Sequence, residues 1–103
     1  MYYHKISEVK NANKRAGYYF FTRSTMKFFN SRVLPKVYGG QYFITEERFE
    51  HDSPVRYTVR RVEEDGDITT IGRFQQFASR EDAVECIVGL VSKRPGAYRG
   101  TFE

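Results

Sequence analysis

The segment VRYTVRRVEEDGDITTIGRFQQF, residues 55–77, constrains the fold more than any other part of the chain. Tyr57 and Val59 alternate with Arg56, Thr58 and Arg60, the period of two that belongs to an extended strand. Asp65-Gly66 then supplies the positive-φ turn of a hairpin, and Ile68 to Phe77 is expected to return as the partner strand. Gly72 marks a bulge, because the alternation slips between Ile71 and Phe74. A hairpin alone is marginal in water, so the flanking segments must cover it.

Downstream, ASREDAVECIVGLVSK reads as a helix. Ser79 is its N-cap, Asp82 completes a capping box, and Ala83, Val84, Ile87, Leu90 and Val91 line one side. Lys93 and Arg94 suit its C-terminal end, and Pro95-Gly96 stops it. Upstream, QYFIT (41–45) follows Gly39-Gly40 and is a third strand, with EERFEHDSP (46–54) as a polar connection. Two short helices precede it. The first is capped by Ser7, carries a stripe of Val9, Ala12 and Ala16, and ends before Gly17. The second is capped by Thr22, with Phe21 stapled onto Met26, and turns Met26, Phe29 and Val33 inward before Pro35.

The expected order is therefore α-α-β-β-β-α. This is an α+β fold with two short N-terminal helices, a three-stranded antiparallel sheet and a C-terminal helix packed on the sheet. At 103 residues the chain is expected to form one compact domain over 1–103, with 97–103 a frayed tail. Ile71, Phe74, Phe77, Ile87 and Val91 are expected to share a core between sheet and helix. Aromatic residues make up 17% of a chain with no tryptophan, so the core must draw on Phe and Tyr. That assigns Phe20, Phe21, Phe28 and Phe29 to the interior and leaves Tyr18 and Tyr19 for contact.

Several classes of function are disfavoured. No apolar run reaches the roughly 18–20 residues of a membrane span, and MYYHKISEVK lacks the apolar region of a secretory signal. A single cysteine, Cys86, permits no internal disulfide, and its mid-helix place suits packing rather than nucleophilic chemistry. These features point to the cytoplasm. His51 stands between Glu50 and Asp52, but neighbours on one loop rarely converge on an ion and no second ligand pair exists. Glu63, Glu64, Asp65 and Asp67 match no calcium loop, and YGGQ lacks the length and the Lys-Ser/Thr of a phosphate loop. No catalytic residue, metal site or cofactor is expected.

Charge is the remaining signal. Up to Arg48 there are nine Lys/Arg and three acids, a balance of +6; from Phe49 onward the balance is −2. Such polarity steers partners. Lys10, Lys14, Arg15, Arg23 and Lys27 fall on the expected outer faces of the first two helices, beside Tyr18 and Tyr19. Arginine and tyrosine concentrate binding energy at interfaces, so these seven residues form the expected partner surface. Arg56 and Arg60, on the expected outer face of the hairpin, are candidate nucleic-acid contacts.

NANKRAGYYFFTRSTMKFFNSRV, YGGQYFIT and SPVRYTVRRVEEDGDI…GRFQQF occur in this order. In that order the chain resembles a family of small uncharacterised proteins of bacteriophages and related mobile elements, over about residues 5–90. The shared pattern is one of packing and turns. The resemblance implies an accessory protein of the host bacterial cytoplasm, of a kind that includes inhibitors of restriction and CRISPR defences. It supplies no catalytic residues. The leading expectation is a non-enzymatic protein that binds and modulates a host or phage protein complex, with direct nucleic-acid binding as the alternative.

Overall fold

The computed structural model describes residues 2–50 and 52–92. Its elements are α1 (Ile6–Arg15), α2 (Arg23–Phe28), β1 (Ser31–Val33), β2 (Tyr42–Arg48), β3 (Val55–Val62), β4 (Ile68–Ile71) and α3 (Arg80–Ser92). The α+β class and the helix packed on the sheet are as expected, but the antiparallel sheet has four strands, ordered β1-β2-β3-β4, rather than three. The expectations for His51, for the Lys93 to Gly96 helix end and for the tail lie outside the described residues.

The additional strand comes from the stretch assigned to the second helix. Thr22 caps α2 as expected, its Oγ1 accepting from the Thr25 N–H. The helix stops at Phe28, however, because Asn30 takes a φ of 53°, a left-handed conformation that asparagine tolerates better than most residues. Ser31 then pairs with Glu47 and Val33 with Thr45. Met26, Phe29 and Val33 therefore share no helical face. The polar connection after residue 45 also contributes, since Glu46, Glu47 and Arg48 extend β2 along β3.

In the hairpin, the Gly66 N–H donates to the Glu63 carbonyl and the Glu63 N–H to that of Asp67. Gly66 has a φ of 93°, and a Cβ there would lie 2.9 Å from the Ala12 carbonyl oxygen, so turn and packing both demand glycine. β4 ends at Ile71 and not at Phe77. Val59 pairs with Ile71, and the next ladder position, Tyr57, bridges to Phe77. Residues 72–76 thus leave the sheet in an excursion at the point where the sequence suggested a bulge.

One face of the sheet packs on α3. Tyr42, Ile44, Val59, Ala83 and Ile87 are its buried residues, with Ile71, Phe77, Cys86, Leu90 and Val91 half-buried around them. Of the expected core, only Phe74 is missing. The Ser79 Oγ accepts from the Asp82 N–H at 3.1 Å, so α3 starts where its cap residue predicts. Ser79→Ala should lower stability by about 1 kcal/mol, measured by denaturant unfolding, and an unchanged midpoint would relocate the helix start.

The other face carries α1 and the segment before it: Tyr3, Val9 and Ala12 pack on Phe43 and Val62, flanked by Phe20 and Phe21. Helix α1 begins after Lys5, not at Ser7, because the Glu8 carboxylate accepts from the backbone N–H groups of His4 and Lys5 and satisfies the helix start. Ala16 is exposed. Asn13 is buried instead, donating from Nδ2 to the Gly66 carbonyl at 2.8 Å and tying α1 to the hairpin turn.

Candidate functional site

Strand alternation sends Phe43, Thr45 and Glu47 of β2 to the same face as Arg56, Thr58, Arg60 and Val62 of β3. At the hairpin-turn end this face is an apolar core. At the opposite end it holds an ion pair: Arg60 is 7% and Glu47 1% exposed. The Arg60 Nη2 donates to Glu47 at 3.2 Å, Nε to the Thr45 hydroxyl at 3.0 Å and Nη1 to the Thr70 hydroxyl at 2.6 Å. Ser31 and Thr58 donate their hydroxyls to the two Glu47 oxygens. Burial pushes the Arg60 guanidinium below its usual range, and the Glu47 carboxylate opposes that shift.

The excursion 72–76 closes over this pair. Arg56 donates to the carbonyls of Gln75 and Gln76, both at 3.0 Å, and the Gln75 N–H donates to the Thr58 hydroxyl at 2.8 Å. These bonds hold Gln75 at a φ of 59°, a backbone state that a non-glycine residue keeps only when its surroundings enforce it. The result is that Phe74 lies over Arg60, with the guanidinium carbon 5.6 Å from the ring centroid, while Phe20 lies 5.1 Å from the same carbon.

Phe74 also meets Phe29 at 5.6 Å, and Phe29 meets Phe28 at 4.9 Å, both edge to face. The three rings form a knob, and it faces water: Phe28 is 80%, Phe29 41% and Phe74 44% exposed. This corrects the expected interior positions of all three. Phe28 and Phe29 leave the core because α2 is only six residues long and ends on the left-handed Asn30. Phe74 leaves it because β4 ends before it.

The expected partner surface is divided between two places. Lys10, Lys14 and Arg15 are exposed on α1, which is tied to the hairpin turn through Asn13. Tyr18 is half-buried, and its hydroxyl donates to Asp65 at 2.6 Å, so that bond holds Tyr18 to the acidic turn. The same bond holds the Asp65 carboxyl below its usual range, with the Asp67 N–H assisting. A carboxyl depressed by folding contributes stability above its unfolded pKa, and the contribution fades as pH falls through the folded value. Arg23 and Lys27 are exposed on α2 beside the ring knob, and Tyr19 is exposed between the helices. Arg60 is not on an outer face, since the excursion and Phe20 cover it. Arg56 is half-buried and bonded to the excursion.

Among the described residues, no group of three or more His, Cys, Asp or Glu side chains could hold a metal ion, and no helix is long and apolar enough to cross a membrane. The arrangement presents exposed rings on and near a helix that carries exposed cations. Two signals in the sequence point to it. Asparagine directly after Phe28-Phe29 is a helix terminator, and alternation from Phe43 puts Glu47 and Arg60 on one face.

A family of unknown function, DUF7447, matches residues 5–87, and the chain belongs to that family. No curated protein and no solved structure matches the chain.

Proposed function

We propose that this chain acts without catalysis, by stoichiometric binding of an acidic macromolecular partner through the Phe28, Phe29 and Phe74 knob and its rim of Arg23, Lys27 and Arg73. The observation that carries this reading is the exposure of three rings in mutual contact. Isolated surface rings are ordinary, whereas a contiguous apolar patch rimmed by charge marks an interaction site. The knob is also pre-organised. Arg56, Thr58 and the strained Gln75 position Phe74 before any partner arrives, which lowers the ordering cost of association. The finer form of the proposal follows the sequence resemblance: an accessory protein of phage or mobile-element origin that binds a host defence or nucleic-acid-processing complex in the bacterial cytoplasm.

Affinity capture from a host lysate with the tagged full-length chain tests this. Phe28→Ala should weaken recovery of the wild-type complex about thirtyfold, the loss expected for an interface anchor. Arg23→Glu with Lys27→Glu should abolish recovery, and Lys14→Glu with Arg15→Glu, on α1, should leave most of it. All three variants replace exposed side chains, so their melting curves should stay close to wild type. Full recovery by the Phe28 and Arg23/Lys27 variants would move the functional face elsewhere.

A further inference from the structure

The partner chemistry can be narrowed further, on the assumption that the knob is the contact face. From Val9 to Thr45 the chain carries seven Lys/Arg and no Asp or Glu, and from Ile68 to Arg80 it carries two more cations and again no acid. These are the segments that build the knob. Among the described residues the acids are Glu8 in the first turn of α1 and those on the hairpin turn, on α3 and between Glu46 and Asp52. Glu46 is paired with Arg32, and Glu47 is buried against Arg60. Such segregation exceeds what a protein interface needs and repels a second copy of the same face. It suits a ligand that carries one negative charge per repeating unit.

The placement of rings and cations has the same repeating character. Lys27 directly precedes Phe28, and Arg73 directly precedes Phe74, so each of these exposed rings has an exposed cation as its neighbour in the chain. Arg23 and Lys27 are one helical turn apart, with Cβ atoms about 5–6 Å from each other. This spacing is comparable to the step between phosphates of an extended strand. Phe74 has Arg60 against its ring and is still 44% exposed, and Phe28 is mostly uncovered. Phe49 is exposed too, and it makes none of the ring contacts that join Phe28, Phe29 and Phe74.

We infer that the knob binds single-stranded nucleic acid, with bases stacking on Phe28 and Phe74 and phosphates meeting Arg23, Lys27 and Arg73. A duplex is a poorer ligand. Its bases are already stacked, and α2, six residues long, offers no groove-reading helix. Both DNA and RNA single strands present the required chemistry.

Fluorescence anisotropy with labelled 20-nucleotide mixed-sequence DNA, the same sequence as RNA, and the matching duplex tests the inference on the full chain. Binding of one or both single strands at 50 mM salt is expected, tighter than to the duplex. Three phosphate contacts give a slope of about −2 in log affinity against log salt, a loss of roughly fifteenfold by 200 mM. Phe28→Ala should cost about 5- to 150-fold, with an unchanged melting curve. The inference is overturned if neither single strand binds at 50 mM salt, if the duplex binds as tightly, or if Phe28→Ala leaves single-strand affinity intact. Absence of single-strand binding, with Phe28→Ala still stripping a nuclease-resistant protein from the captured complex, overturns this inference alone and leaves the knob as the contact face.

Discussion

Glu47→Ala is expected to lower stability by about 3–5 kcal/mol, because it leaves a buried guanidinium without its counter-charge. The pair lies between β2 and β3, with Glu47 1% and Arg60 7% exposed, so water cannot replace the lost partner without opening the sheet face. Two hydroxyls lose their acceptor as well, those of Ser31 and Thr58. Domains of this size hold about 5–15 kcal/mol in total, so the variant forfeits about a fifth of the stability or more. Glu47→Gln keeps an acceptor while removing the charge and should fall between alanine and wild type. Denaturant unfolding of the three proteins measures the order. A Glu47→Ala variant within about 1 kcal/mol of wild type would mean that Arg60 finds water, and that the excursion does not seal the site.

The same network links folding to the candidate site. Thr58 donates to Glu47 and accepts from the Gln75 N–H, so one hydroxyl joins the ion pair to the excursion that carries Phe74. A buried charged network is weak evidence for stability, since apolar residues of equal volume often serve as well. What it supplies here is a fixed position for the ring above it. In physical terms the ion pair is the foundation of the knob, and Arg56 is its lateral tie.

The elements that could be read from the sequence were those decided by local chemistry. The Asp65-Gly66 turn, the Thr22 and Ser79 caps and the apolar side of α3 each depend on residues within a few positions of one another. The failures were decided at long range. Whether SRV continues a helix or pairs with Thr45 to Glu47 depends on a strand fourteen residues away, and periodicity within the segment does not report that. The hairpin alternation was correct, but its polar side is buried because α1, Phe20 and the excursion cover it, and alternation alone cannot show a second cover. Assigning Phe28 and Phe29 to the core followed from the aromatic-rich, tryptophan-free composition. The structure instead fills that face with Phe20, Phe21 and Phe43, and the later pair is left outside.

That division of labour among phenylalanines makes Phe43 the residue whose loss should be felt most on the apolar side. Phe43 is fully buried, and Phe20 and Phe21 meet it at 6.3 and 5.8 Å between centroids. Val9, Ala12 and Val62 complete the same cluster. Phe43→Ala should cost about 3–5 kcal/mol through lost transfer energy and a cavity that only partly collapses. The cavity has rigid strand on one side and α1 on the other, and α1 is pinned through Asn13 to Gly66, so little inward movement is available. Phe28→Ala removes the same side chain from an 80% exposed position, and its cost should be within about 0.5 kcal/mol. Comparing the two unfolding midpoints under one condition isolates burial from residue type. A Phe28 variant as unstable as the Phe43 variant would return Phe28 to the core and dissolve the knob. A Phe43 variant close to wild type would mean that α1 does not pack on the sheet as described.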